Sequence, residues 1–345
     1  MDELVIGGHT ILPGKILQIE MPVVRLYTDT DISMPVHVIR SKRSGPTIFV
    51  SAAVHGDELN GIEIIRRLIN QKSLRLVSGT IIFVPMVNVY GVLNQSRYMP
   101  DRRDLNRCFP GSAKGSLAGI VANKFLSEIV KQCEYGIDLH TGAIHRSNLP
   151  QVRANLKDAE TRELAEAFGV PVLLNSTLRD GSLRQAAVES GTKILLYEAG
   201  QALRFDELSI RAGVRGIQNV LAHLGMIRRK VRTEAKKAVV TPFIANTSAW
   251  TRANASGIVN NLKNLGDNVK KGQSLAKIGS PFGDIFETVC ANRSGIIIGK
   301  QNIPLVQEGD AMFHIAYFSE EDEVIENIEI MQDSLIPEEA PVIAS

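Results

Sequence analysis

Thr47-Ile48-Phe49-Val50-Ser51-Ala52-Ala53-Val54-His55-Gly56-Asp57-Glu58 decides how this chain is read. Its first half is an apolar, β-branched run of the kind that forms a buried strand, and Leu59 to Ile69 continues with the apolar spacing of an amphipathic helix. His55 and Glu58 therefore fall at a strand-to-helix turn, where both side chains can converge on one point. Further along, Tyr135-Gly136-Ile137-Asp138-Leu139 reads as a second strand and delivers His140, followed by Thr141 and Gly142. A short His-x-x-Glu motif arises often by chance, so its weight comes from placement. Both pieces sit where the catalytic groups of open α/β sheets collect, at the carboxyl ends of strands. Two histidines and one carboxylate leave the fourth position of a tetrahedral zinc ion open to water, the catalytic rather than the structural arrangement. The pattern predicts one Zn2+ per chain, held by His55, Glu58 and His140, and hydrolytic chemistry.

A zinc hydrolase also needs a group to accept a proton from water and positive charge to neutralise an oxyanion. Glu198 ends the apolar run Leu195-Leu196-Tyr197, where a carboxylate is costly to bury unless it faces a site, so it is the expected general base and proton shuttle. Between the two metal segments lies Asn94 to Gly111, with Arg97, Arg102, Arg103 and Arg107 in close succession and Asn106 among them. Guanidinium forks bind carboxylates at two points, so this loop reads as a substrate clamp. Its boundaries, Tyr90-Gly91 and Phe109-Pro110-Gly111, suggest an ordered excursion. Arg153 is a further cationic candidate, with surface strand charge as the alternative; His145 and Arg146 fall in a loop near the metal, and His145 is expected to contact substrate or to do nothing, since a fourth protein ligand would close the metal site.

Composition frames this reading. The 345 residues are 44% hydrophobic and 22% charged, the balance of an ordinary globular protein large enough for two domains. With 39 basic and 37 acidic residues interspersed, the net charge of +2 leaves no large footprint for nucleic acid or an anionic membrane. Cys108, Cys133 and Cys290 lack metal-ligand spacing and fit a reducing compartment. Met1-Asp2-Glu3-Leu4 begins with acids rather than a basic region before an apolar stretch, and no long apolar run follows, so the expected location is the cytoplasm. The basic cluster Arg228-Arg229-Lys230 with Lys236 and Lys237 reads as solvated surface or linker.

Residues 15 to 40 alternate apolar and polar side chains around Pro22 and Pro35, which predicts edge strands or a hairpin. Strand-like runs at 47–53, 80–87, 135–139, 151–156, 170–174 and 193–198 then alternate with helical patterns near 59–70, 116–132, 158–168, 182–190 and 207–224. That alternation predicts an α/β domain, a mixed sheet flanked by helices, over residues 1–230. From 231 to 318 short strands punctuated by glycine predict a small all-β domain resembling the barrel-sandwich fold of biotinyl and lipoyl carriers. The stretch corresponding to the carrier's modifiable lysine is Gly279-Ser280-Pro281-Phe282-Gly283-Asp284, without lysine, so the module is expected to cap the catalytic domain or build an oligomer contact. Residues 319–345 form an acidic tail expected to fray.

His55-Gly56-Asp57-Glu58, Arg97-Tyr98, Asp104-Leu105-Asn106-Arg107, Asp138-Leu139-His140-Thr141 and Tyr197-Glu198-Ala199-Gly200 occur in the order that resembles the succinylglutamate desuccinylase/aspartoacylase family, whose catalytic domain is similar to zinc carboxypeptidases. The resemblance spans roughly residues 40 to 225. It implies His55, Glu58 and His140 as zinc ligands, Glu198 as base, Arg97 at the oxyanion, and Asn106 with Arg107 on the substrate carboxylate. The interval from Arg97 to Asp104 is longer than the aspartoacylase pattern, which leaves Arg102 and Arg103 as rivals for the oxyanion role. The leading expectation is a zinc-dependent amidohydrolase acting on a small anionic N-acyl amino acid, without nucleic-acid or membrane partners and with a possible homo-oligomer. A carboxypeptidase acting on short peptides or a protein tail, and a non-catalytic metal-binding assembly protein, are the alternatives.

Overall fold

The computed structural model describes residues 3–71, 74–228 and 242–317. A two-strand ribbon, β1 (Val5–Ile6) and β2 (His9–Thr10), precedes the long antiparallel hairpin β3 (Ile16–Arg25) and β4 (Asp31–Arg40). The α/β alternation follows: β5 (Thr47–Ala52), α1 (Asn60–Asn70), β6 (Thr80–Val84), α2 (Val89–Leu93), α3 (Leu117–Glu128), β7 (Tyr135–Gly142), β8 (Arg146–Ala154), α4 (Ala159–Phe168), β9 (Val172–Asn175), α5 (Leu183–Glu189), β10 (Lys193–Gln201) and α6 (Glu207–His223). Strands β10, β7, β5 and β6 run parallel at the centre, and antiparallel neighbours extend the sheet on both sides.

Period-2 alternation builds the layers. Along β5, Ile48 and Val50 enter the core under α1, α4 and α6, with Ile64, Leu68, Leu164 and Ile217, whereas Phe49 enters the opposite core with Val121 and Phe125 of α3 and Leu183 of α5. Phe49 meets Phe125 edge to face at 5.9 Å, and each such fully buried ring contributes on the order of 1.5–3 kcal/mol. The helix starts are marked by polar side chains: Ser116, Asp158, Ser182 and Asp206 each accept a backbone N–H of the first turn.

After α6 come β11 (Phe243–Ala245), β12 (Thr247–Arg252), β13 (Gly257–Asn261), β14 (Asn268–Val269), β15 (Ser274–Gly279), β16 (Ile285–Cys290), β17 (Gly295–Gln301), β18 (Leu305–Val306) and β19 (Ala311–Tyr317). A four-stranded antiparallel sheet, in the order β16-β15-β13-β18, is the separate part of this region. The rest is continuous with the α/β sheet, since β17 pairs with β8 and leads on to β19 and β12. The alternation of three isoleucines explains the join. Ile297 faces the core of the β region with Leu275, Ile278 and Phe313, while Ile296 and Ile298 pack on Leu149, Val172 and Leu174 of the α/β region. Residue 230, where the sequence places the boundary, and the acidic tail at 319–345 lie outside the described residues. Among the described residues no helix is long and apolar enough to cross a membrane.

Candidate metal and catalytic site

The turn after β5 is fixed by close packing. A Cβ on Gly56 would lie 1.9 Å from the backbone carbon of Gly91, so only glycine lets the His55–Glu58 turn press against α2. His140 is carried in on the parallel neighbour β7, where Ala52 and Leu139 are register partners. The result is a buried cluster in which His55, Glu58 and His140 each offer a ligand atom, all within 4.8 Å of one another. Glu58 Oε1 lies 2.8 Å from His55 Nδ1 and Glu58 Oε2 lies 2.8 Å from His140 Nδ1. The structure thus brings together the three residues that the sequence proposes as ligands.

Their outer nitrogens are held by carboxylates. His140 Nε2 is 2.7 Å from Asp138, which also accepts the Ser51 hydroxyl at 2.7 Å. His55 Nε2 is 3.1 Å from Asp104, and the Asn106 backbone N–H donates to the same oxygen at 2.9 Å. Carboxylates on the far nitrogens orient metal-binding imidazoles, so both Nδ1 atoms are presented to a common centre. Burial on its own would raise the Glu58 pKa, but His55 and His140 outweigh it and hold the carboxyl well below its usual range. Burial would lower the His140 pKa, yet Asp138 and Glu58 raise it well above the usual value; Glu58 and Asp104 do the same more mildly for His55. Two nitrogens and one ionised oxygen on a preoriented frame fit a divalent zinc ion with an open position.

Glu198 lies in the row next to this cluster. It is the register partner of His140 across β10 and β7, and of Gln151 across β10 and β8. It lines a cavity of about 610 Å³ together with the three candidate ligands. Its partner is Arg153, at 2.6 Å in an ion pair whose angle leaves Nε short of a hydrogen bond.

The arginine loop divides. Arg97 lines the cavity, 3.0 Å from Asp104 and 3.4 Å from Glu58. Arg107 and Asn106 also line it, but Asn106 Oδ1 accepts the Leu183 N–H at 2.8 Å, so this side chain ties the loop to the start of α5 and leaves its NH2 for a ligand. Burial lowers the Arg107 pKa, with Arg179 and Arg97 acting in the same direction and Asp104 opposing them. Arg102 and Arg103 correct the expectation: both are exposed and outside the cavity lining, Arg102 at the left-handed φ of 62° in a tight turn and Arg103 facing Asp101 at 3.8 Å. His145 is likewise exposed, in the turn between β7 and β8. Arg146, Arg153, Arg179 and Arg184 complete the cationic lining, and Trp250 and His314 reach into it from the β region.

The sequence reading misses Asp104 and Asp138 as orienting groups, Arg184 in α5, and the pair Trp250 and His314. Asp138 stands two residues before His140, so a search for carboxylates near that histidine would have found it; Asp104 lies 49 residues from His55 and meets it only in the fold. Trp250 and His314 carry no local signal, since only the pairing of β12 with β19 brings them together.

A model of the succinylglutamate desuccinylase/aspartoacylase catalytic domain matches residues 44–224. An N-α-acetyl-L-2,4-diaminobutyric acid deacetylase from Halomonas elongata is 28% identical over 307 residues, which cover 86% of this chain and 87% of that protein. The crystal structure of a succinylglutamate desuccinylase/aspartoacylase from Rhodobacter sphaeroides aligns with a TM-score of 0.77 at 26% identity, over 89% of this chain and 95% of that one. The product-bound ectoine utilization protein EutE from Ruegeria pomeroyi shares the fold, with a TM-score of 0.76 at 23% identity over 89% and 98% of the two chains.

Proposed function

The chain belongs to the succinylglutamate desuccinylase/aspartoacylase family, and from that premise we propose that it is a zinc-dependent hydrolase cleaving the amide bond of a small, anionic N-acyl amino acid. The observation that carries this reading is the row His140–Glu198: a carboxylate stands in register beside a preoriented His-Glu-His set, inside a cavity that residues from both regions line. A zinc ion on His55, Glu58 and His140 would polarise the substrate carbonyl and acidify a water molecule. Glu198 accepts the proton of the attacking water and delivers it to the leaving amine, so that the acyl group departs as a carboxylate and the amino acid as a free amine. Arg97 neutralises the oxyanion that develops on the former carbonyl oxygen. Arg107 and the Asn106 amide grip the substrate carboxylate.

The Halomonas relative, by its name, removes an acetyl group from an amino acid, which supports amide cleavage here. That substrate has a diaminobutyric acid portion, however, whereas six arginines line this cavity against Glu58, Asp138 and Glu198. An excess of guanidinium repels a cationic side chain and favours an acidic one. The wall that Trp250 and His314 build on one side of the cavity supports a small molecule over the peptide of the carboxypeptidase reading. An intact carboxylate at Glu198 favours catalysis over a purely structural metal site.

The test is a screen of N-acetyl, N-succinyl and N-formyl amino acids against zinc-loaded protein. Hydrolysis is expected, with acidic substrates preferred over their neutral amides. Release of C-terminal residues from short peptides without turnover of any N-acyl amino acid would overturn the reading in favour of a carboxypeptidase.

A further inference from the structure

In the cavity lining three side chains are stacked, and the chemistry above uses none of them. Trp250 lies on His314 with ring centroids 4.8 Å apart and planes only 10° from parallel, and the Arg146 guanidinium stands 5.1 Å from the centre of the indole. The stack is built into the sheet. Trp250 and His314 are register partners on β12 and β19, and His314 is in turn opposite Gly299 of β17. A Cβ on Gly299 would come within 3.0 Å of the His314 Cβ and 2.9 Å of Asn148 Oδ1, so glycine at that position leaves His314 room beside β17. The Ser248 hydroxyl, 3.0 Å from Nε2, fixes the ring. Burial, and then the nearby Arg153, push the His314 pKa down to about 3, which keeps it a neutral platform.

Arg146 differs from the cations at the base of the cavity. Arg97 is matched by Asp104 and Glu58, and Arg153 by Glu198. The Arg146 guanidinium has no carboxylate or hydrogen-bond acceptor among the described residues; it packs on the indole face. A cation held over an aromatic ring keeps its N–H edge free and fixed in direction, which is the condition for two-point binding of a carboxylate. Its position is beyond the reacting row. Arg146 precedes Gln151, the partner of Glu198, by five residues of β8, and its backbone packs against Gly142, two residues past His140 on β7.

We propose that Arg146, presented by the Trp250–His314 stack, is a second anion-binding group of the cavity and selects substrates that carry a carboxylate at the end remote from the scissile amide. The inference rests on the deacylase reading for the word substrate, but the subsite can be tested without turnover. It gives the β region a part in specificity: Trp250 and His314 are positioning residues, and Arg146 is the group that touches the ligand.

Trp250 is the sole tryptophan of the chain, so its fluorescence reports this wall directly. Wild-type protein is titrated with adipate and suberate, dicarboxylates of increasing reach, and with hexanoate, which has one charged end. At least one dicarboxylate is expected to bind more tightly than hexanoate and to perturb Trp250 emission. Arg146→Gln should weaken that dicarboxylate about tenfold, the worth of a charge-assisted contact, and change hexanoate by less than about twofold. Calorimetry on Trp250→Phe should show retained affinity, because phenyl also offers a π face, whereas Trp250→Leu should behave like Arg146→Gln although the charge is still present. Unchanged dicarboxylate affinity in Arg146→Gln, or an equal loss for both ligand classes, overturns the subsite. Normal binding in Trp250→Leu overturns the positioning role of the stack. If the N-acyl screen fails while Arg146-dependent binding persists, the deacylase reading falls and the anion subsite stands.

Discussion

The base of the cavity and its upper wall are built on opposite principles. At the base, buried charge is matched: His55 to Glu58 and Asp104, His140 to Glu58 and Asp138, Arg97 to Glu58 and Asp104. On the wall, Arg107, Arg146 and Arg184 have no carboxylate within ion-pair distance among the described residues, and Arg184 Nη1 is buried without a hydrogen-bond partner. A matched network is rigid and can hold a metal-sized centre with little rearrangement. An unmatched set of guanidiniums costs folding energy that an anionic ligand can repay. On the reading proposed above, the metal end is complete in the protein itself, while the substrate end is left for the substrate to complete.

The comparison breaks most visibly at the base. His140→Ala and His55→Ala should each abolish tight zinc binding, because two remaining protein ligands seldom retain the ion against a chelator. Asp138→Asn, which only loosens the orientation of His140, should weaken affinity by about 10–100-fold. Elemental analysis after graded dialysis against a chelator checks this order; an Asp138→Asn protein as depleted as His140→Ala would place Asp138 among the ligands.

The wall should respond in the opposite sense when stability is measured. Arg184 is buried, and burial with the neighbouring Arg153 lowers its pKa from the usual arginine range to about 10 while Glu198 opposes the shift. A cation with a lowered pKa is destabilised by the fold. Above about pH 10 the unfolded chain holds more protons than the native one, so this cost is fully present below about pH 10 and fades as pH rises toward the usual arginine range. Arg184→Met should therefore leave the Tm unchanged or raise it by about 2–4 °C, while weakening an acidic substrate. A large fall in Tm by calorimetry would show that Arg184 supports the fold and is not held in reserve for a ligand.

Much of this was legible in the sequence because local signals carried it. The central strands declare themselves by apolar runs such as Thr47–Ala52, and the helices by caps such as Ser182 and Asp206. The candidate metal set was legible because its motifs lie at or near the carboxyl ends of strands. What was hidden depends on pairing between distant segments. That β17 continues the catalytic sheet follows from Gly299 opposing Asn148, a contact no local pattern announces. Arg102 and Arg103 misled because composition alone cannot say which arginine of a cluster turns outward; here the turn at Arg102 sends both to solvent. Arg184 reads as a polar residue in the first turn of a helix until α5 is packed against the cavity.

The central claim is that Glu198 moves the proton for a metal site it does not itself belong to. Glu198→Gln keeps the shape of the side chain and removes the base, so metal content and turnover can be compared on one protein. The expected result is zinc at one per chain, as in the wild type, with kcat on the best N-acyl amino acid reduced by about 100-fold or more. Near-normal turnover in the zinc-replete variant, or loss of the zinc itself, would contradict the account.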